Sequence, residues 1–310
     1  MARGKSKGQV WLEYAGVRLV LGGLGLLPRR ASVYAAAKLA RLAFQIPSGL
    51  RRVGMRNLEI AFPEKSSAER KAILRGAFDN VGRVLGETSQ FSKITRPEIE
   101  CIVDFELDDE SRALYSKNKT EKRGVLITTG HFGNWELLVF AFAALHEPIS
   151  YLARPIDNPL IEELFVRIRT RFGNRPINKT NSAARAINIL REGGILGILT
   201  DVNAHPKEGV FVPFFNVPAC TASGAALIAI RSNALIFPTF CIWDAQIGRY
   251  RFVHGRLIEP ADTGDRKSDV LETTAAYTAE IERIYRKYPD QWIWIHKRWK
   301  TRPPGEKSLY

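Results

Sequence analysis

The chain has 310 residues, enough for one large domain or two small ones, and 45% of them are hydrophobic, which excludes a chain unable to bury a core. Lys and Arg number 46 against 32 Asp and Glu, and the resulting charge of +14 favours an anionic partner: nucleic acid, anionic lipid or an acidic carrier protein. Three scattered cysteines, Cys101, Cys220 and Cys241, have no Cys-x2-Cys spacing and read as buried thiols of a reducing compartment.

The first element is Val10 to Leu27, largely apolar but interrupted by Glu13 and Arg18. Arg3, Lys5 and Lys7 precede it, yet no small-residue cleavage site follows, so a cleavable signal peptide is not expected. The run is at the short end for crossing a bilayer. Arg29 and Arg30 beyond it make both flanks basic, so the positive-inside rule assigns no orientation. The pattern predicts a helix lying in or dipping into a membrane surface; a single-span anchor and an amphipathic core helix are the alternatives. Ala31 to Phe44 has helical spacing and is broken by Pro47, Ser48 and Gly49. Arg51 to Ile60 starts strongly basic, and Pro63 ends that segment. Ser66 or Ser67 is placed to cap a helix that includes Ala68 to Glu87. The first 95 or so residues therefore read as helical, with residues 1–56 as a membrane-associated segment and 57–310 as the domain that carries the chemistry.

The stretch from Gly124 to Glu136 changes character. Val125 to Thr128 reads as a short buried strand, Gly130 and Gly133 mark a turn, and Asn134 is placed to cap the apolar helix that follows. His131 and Glu136 thus sit on a strand–turn–helix junction. On a continuous helix their side chains would diverge by roughly 140°, but a glycine turn lets them converge. A neutral imidazole takes a proton from a hydroxyl at physiological pH, and a carboxylate on its other nitrogen stabilises the imidazolium that forms. His131 is the candidate general base and Glu136 its partner. The helix start adds backbone N–H groups at Gly133 and Asn134 for an oxyanion or a phosphate.

Strands and helices then alternate. Strands are expected at Ile149 to Ala153, Arg175 to Asn178, Ile195 to Thr200, Ala234 to Phe240 and Tyr250 to Ile258. Helices are expected at Asn158 to Phe172, from Asn181 or Ser182 to about Glu192, at Ala222 to Arg231 and at Thr273 to Tyr288. The fold class is α/β, a mixed central sheet flanked by helices. Arg154 and Asp201 each follow a strand, at the carboxyl end where open α/β sheets place ligands. Val210 to Phe215 reads either as core or as the lining of an apolar tunnel. In the tail, Trp292, Trp294, His296 and Arg298 alternate with Ile293, Ile295 and Lys297, as in a strand with one inward set. Trp and Arg together suit a headgroup interface. No His-Glu-x2-His or Gly-x-Ser-x-Gly occurs, so neither a zinc site nor a serine hydrolase elbow is expected. No nucleic-acid fold signature accompanies the basic charge.

The segment His131-Phe-Gly-Asn-Trp-Glu136 resembles the His-x4-Asp/Glu signature of glycerolipid-type acyltransferases, and in this Glu form with Gly-Asn-Trp it resembles the lipid A biosynthesis acyltransferases. Asn57-Leu leading to Phe62-Pro63, Arg154-Pro155, Asp201, Gly209 to Phe215, Thr221-Ala-Ser-Gly224 and the Trp-rich tail match the same family; Val202 departs from a Gln often found there. The resemblance implies an O-acyltransferase at the cytoplasmic face of a bacterial inner membrane. It would carry an acyl chain from an acyl thioester, on acyl carrier protein, to a hydroxyl of a lipid A precursor. Gly133, Asn134, Arg154, Asp201 and Arg298 would contact substrate, and no cofactor or metal would be required. Another glycolipid acceptor such as a phosphatidylinositol mannoside with an acyl-CoA donor, a non-catalytic membrane-surface protein of the same fold, and a thioester hydrolase are the rival readings.

Overall fold

A computed structural model describes residues 6–105, 107, 109–177 and 182–310. Arg3, Lys5, Asn178 and Asn181, which entered the reading of the sequence, lie outside the described residues. The chain opens with α1 (Lys7–Leu26), α2 (Arg29–Gln45), α3 (Gly49–Ala61) and α4 (Ser67–Thr88). Ser6, Ser48 and Ser66 cap three of these starts, Ser66 through a capping box with Glu69. The expected division at residue 56 lies inside α3. Among the described residues no helix is long and apolar enough to cross a membrane. Glu13, one of the two charges that interrupt α1, accepts from Asn158 at 3.0 Å, and the same Asn158 amide donates to the Val10 carbonyl at 2.8 Å.

The remainder runs α5 (Arg96–Ile102), β1 (Val103–Asp104), α6 (Asp109–Thr120), β2 (Val125–Thr129), α7 (Trp135–Leu145), β3 (Ser150–Leu152), α8 (Pro159–Arg169), β4 (Arg175–Ile177), α9 (Ser182–Arg191) and β5 (Ile195–Leu199). It continues with β6 (Gly209–Phe214), β7 (Val217–Ala222), α10 (Gly224–Ser232), β8 (Leu235–Asp244), β9 (Arg249–His254) and α11 (Arg266–Lys287). Among the described residues seven strands form the main sheet in the order β1-β9-β8-β2-β5-β3-β4. β4, β3, β5, β2 and β8 are mutually parallel, and β9 runs antiparallel to β8. The mixed α/β sheet expected from the alternation of elements is thus present.

Side-chain alternation along β2 splits the interior in two. Leu126 joins a core with Leu196, Ile236 and the apolar faces of α9, α10 and α11. Val125 and Ile127 join a second core with Leu137, Leu138 and Phe140 of α7 and Ile99 of α5. The Val210 to Phe215 cluster is mostly the antiparallel hairpin β6–β7, and its Val212, Phe214 and Phe215 are buried in the first core. The tail after Pro289 is not a strand: it makes one bridge, Trp292 to Phe132, and buries Trp292, Trp294 and Trp299 completely. These tryptophans are core, not a headgroup interface. Cys220 and Cys241 are buried as expected, but Cys101 is exposed.

Candidate active site

β2 and β5 are parallel neighbours whose register ends at Thr129 opposite Leu199, and the Thr200 amide closes the ladder on the Thr129 carbonyl at 2.9 Å. Two residues further along both strands stand His131 and Asp201. Asp201 Oδ1 lies 3.0 Å from His131 Nδ1, and Oδ2 accepts from the His131 amide at 2.7 Å. Trp292 Nε1 at 2.9 Å and the Tyr285 hydroxyl at 3.4 Å also donate to Oδ2. Gly130 makes the approach possible, since a Cβ there would overlap the Tyr285 hydroxyl and the Asp201 carboxyl.

Burial works against the Asp201 carboxylate. The charges of His131 and His296 and the Trp292 hydrogen bond nevertheless hold it well below the usual carboxylate range. Burial likewise favours neutral His131, but the adjoining Asp201, and more weakly the Glu136 charge, raise the imidazole above its ordinary value. With Nδ1–H donated to Asp201, the Nε2 lone pair has no partner among the described residues, and the side chain is 30% exposed. This is an imidazole with a fixed tautomer and an open face.

Several expected contacts fall elsewhere. Glu136 does not hold His131: both its oxygens accept from Arg169, at 2.8 and 2.5 Å, because α8 packs against α7 and brings that guanidinium to the helix start. Gly133 and Asn134 do not offer free amides. Gly133 N–H donates to the Gln291 carbonyl at 2.9 Å and Asn134 N–H to the Cys241 carbonyl at 2.6 Å. Gly133 has φ +58°, and a Cβ there would overlap the Cys241 carbonyl. The Asn134 side chain caps α7 through the Leu137 amide at 3.0 Å. Among the described residues, the first-turn amides left without an acceptor are those of Trp135 and Glu136. Arg298 is 1% exposed and cannot reach a ligand at the surface. Its guanidinium donates to the Cys220 carbonyl at 2.9 Å and the Thr221 hydroxyl at 2.6 Å, tying the tail to β7. Arg154 is exposed just beyond β3 and pairs with Asp157 at 3.0 Å. Asp201, expected to contact substrate, is instead the carboxylate behind the histidine. The sequence put both residues just past buried strands; that these strands are neighbours with ends in register, Thr129 opposite Leu199, is seen only in the fold.

Beside the pair, a largely apolar pocket of about 600 Å³, counting the part open to solvent, lies between the sheet and α7. Ile127, Leu138, Val139, Ile149 and Leu199 line it, Gly197 leaves β5 bare, and Glu136 and Arg169 form its polar wall. Trp135, also in the lining, packs edge-on against His131 with ring centroids 5.4 Å apart. Among the described residues no three His, Cys, Asp or Glu side chains are grouped to hold a metal ion.

Residues 4–301 match the family model described as bacterial lipid A biosynthesis acyltransferase. The chain is 30% identical over 302 residues to a lipid A biosynthesis lauroyltransferase of Escherichia coli (strain K12), covering 97% of this chain and 95% of the relative. It is 28% identical to a palmitoleoyltransferase of the same organism, over 97% and 94% of the two chains. A myristoyltransferase, also from Escherichia coli (strain K12), is 23% identical over 97% and 90%.

Proposed function

The chain belongs to the bacterial lipid A biosynthesis acyltransferases and is an acyltransferase, and from that premise we propose that it moves a fatty acyl chain from a carrier-protein thioester to a hydroxyl of a lipid A precursor. The observation that carries the mechanism is His131, its Nδ1 fixed by buried Asp201 and its Nε2 open. The acceptor hydroxyl gives its proton to Nε2 as its oxygen attacks the thioester carbonyl carbon. Asp201 stabilises the imidazolium, and the free Trp135 and Glu136 amides at the start of α7 are available to the developing oxyanion. The tetrahedral intermediate collapses, the carbon–sulfur bond breaks, and the thiolate takes the proton back from His131. The acyl chain occupies the apolar pocket beneath α7. Glu136 anchors Arg169 at the pocket wall and adds to the negative field at His131.

Attachment to the cytoplasmic face of the inner membrane completes the reading. Its support is the row of exposed apolar residues on α1 and α2, among them Trp11, Leu19, Leu26, Leu39 and Leu42. The test incubates the full chain with acyl carrier protein thioesters and coenzyme A thioesters of several lengths, each with a lipid A precursor or a phosphatidylinositol mannoside, and weighs the products. An acylated lipid A precursor formed from the carrier thioester is expected. Free fatty acid alone would make the protein a thioesterase and overturn the proposal.

A further inference from the structure

Arg18 interrupts the apolar run of α1 and makes no hydrogen bond or ion pair among the described residues. It opens onto a groove of about 1350 Å³, counting the part open to solvent, between α1, the end of α4 and α8. Among the described residues four cations line this groove, Arg18, Lys93, Arg167 and Arg171, and no acidic side chain does. Two of them are held in place. Lys93 Nζ donates to the Gly25 carbonyl at 2.6 Å, and Arg171 Nη1 donates to the Phe91 and Ile94 carbonyls, each at 2.6 Å. The other two are uncommitted: Arg18, and Arg167, whose contact with Glu163 is a 3.4 Å surface pair with both partners mostly exposed. Between the cations the floor is apolar, formed by Leu21, Leu164 and Ile168. Gly25 lets α1 close on the end of α4, its would-be Cβ 3.2 Å from the Ser89 carbonyl.

The basic residues of α8 divide between two places. Arg167 near the end of α8 and Arg171 just past it both line the groove, while Arg169, between them, reaches Glu136 instead. The groove therefore lies about one helix diameter, roughly 10–12 Å, from the polar wall of the apolar pocket. Charge without counter-charge calls for a multivalent anion. An apolar floor of Leu21, Leu164 and Ile168 calls for a ligand with hydrocarbon or sugar faces. Nucleic acid and acidic protein surfaces satisfy the first requirement only.

We propose that the groove between α1, α4 and α8 is a binding site for a phosphate-bearing lipid headgroup, with Arg18 and Arg167 closing on the phosphate and Lys93 and Arg171 forming the fixed side. The phosphate comes either from the acceptor glycolipid or from bulk anionic phospholipid. The acceptor arm of the test rests on the acyl-transfer reading; the vesicle arm does not.

The experiment compares Arg18→Gln/Arg167→Gln with Arg266→Gln/Lys267→Gln, an exposed pair on α11 of equal charge, in the full chain. Binding is measured to vesicles of phosphatidylcholine alone, with phosphatidylglycerol added, and with a bisphosphorylated disaccharide lipid added. The groove pair should bind phosphate-bearing vesicles roughly 30-fold more weakly at low salt, from about fivefold per cation, and phosphatidylcholine alone no differently. In the acyl-transfer assay in neutral detergent the same pair should raise KM for a bisphosphorylated acceptor, not for the thioester donor, and should have no further effect when the acceptor lacks phosphates. Loss confined to phosphatidylglycerol assigns the site to bulk phospholipid, and loss confined to the disaccharide lipid assigns it to the acceptor; both support the groove. Equal losses from the groove pair and the α11 pair, with thermal melts unchanged, would reduce the effect to net charge and overturn the proposal. Absence of acyl transfer in the wild-type chain, with vesicle binding intact, would instead strike the acyl-transfer reading alone.

Discussion

In α1 and α2 large apolar side chains are turned outward, among them Trp11, Leu12, Leu19, Leu26, Tyr34, Leu39 and Leu42, while Leu21, Leu24 and Phe44 face the interior. At the junction of β2 and α7 the polar side chains are turned inward: Asp201, Asn134 and Arg298 are buried and hydrogen-bonded. Each region reverses the usual distribution, and each reversal carries a cost of opposite kind. An apolar face in water gains by moving into another phase, so the first region is a surface looking for one. A buried carboxylate is tolerated only when every lone pair is answered, so the second region is rigid and specified by its partners. The function proposed above divides binding and chemistry between these two parts of one chain.

The contrast is most sharply tested at His131. His131→Ala should lower acyl transfer by roughly 10²–10⁴-fold while vesicle binding is unchanged, as measured by product mass and by co-sedimentation. If transfer persisted in a folded variant, the junction would not be the seat of the chemistry.

Asp201→Asn should come next. It removes the charge that opposes burial at His131, so the imidazole falls below its raised value. Because the neutral form is the base, the acidic limb of kcat/KM against pH should move to lower pH as the maximal rate falls. Loss of charged hydrogen bonds from His131, Trp292 and Tyr285 should also lower thermal stability, by about 1.5–3 kcal/mol for each bond to a charged acceptor that is not replaced.

Glu136→Gln should cost less activity than Asp201→Asn, since its damage is to Arg169 and only weakly to His131. Arg169→Gln should resemble it, and the two together should cost less than their sum. A Glu136→Gln that was the more damaging, with a shift of the acidic limb, would exchange the roles of the two carboxylates.

The smallest effect on the folded enzyme is expected at the other region. Leu19→Ser with Leu26→Ser should change stability by less than about 0.5 kcal/mol and leave transfer to detergent-dispersed acceptor intact. The same variant should be released from vesicles and lose activity on bilayer-embedded acceptor. Unchanged vesicle binding would show that the outward apolar face has another partner.

Much of this arrangement is legible in the residues. The β2–turn–α7 unit is local: a β-branched run, two glycines, an Asn cap and an apolar helix, each acting on its neighbours. The pairing of His131 with Asp201 is not local, because it depends on β5 lying beside β2, a strand order that no short pattern encodes. Glu136 looked like the partner of His131 because five positions across a turn allow it; what diverts it is Arg169, which arrives only when α8 packs on α7. The tail misleads in another way. Trp292, Trp294 and Arg298 alternate like a strand at an interface, yet the tail joins no ladder, and Trp292 serves as a donor to the buried carboxylate. Period-two spacing separates inside from outside without saying what the inside is.

The ladder that ends at Thr129 and Thr200 has a consequence for heat. His131 stands two residues past paired Thr129 and Asp201 one past paired Thr200, not on a long loop, so their backbones stay together while β2 and β5 remain zipped. Thermal inactivation should then coincide with the main unfolding transition and not precede it, and the Thr200 amide should exchange with solvent only as slowly as the whole sheet opens.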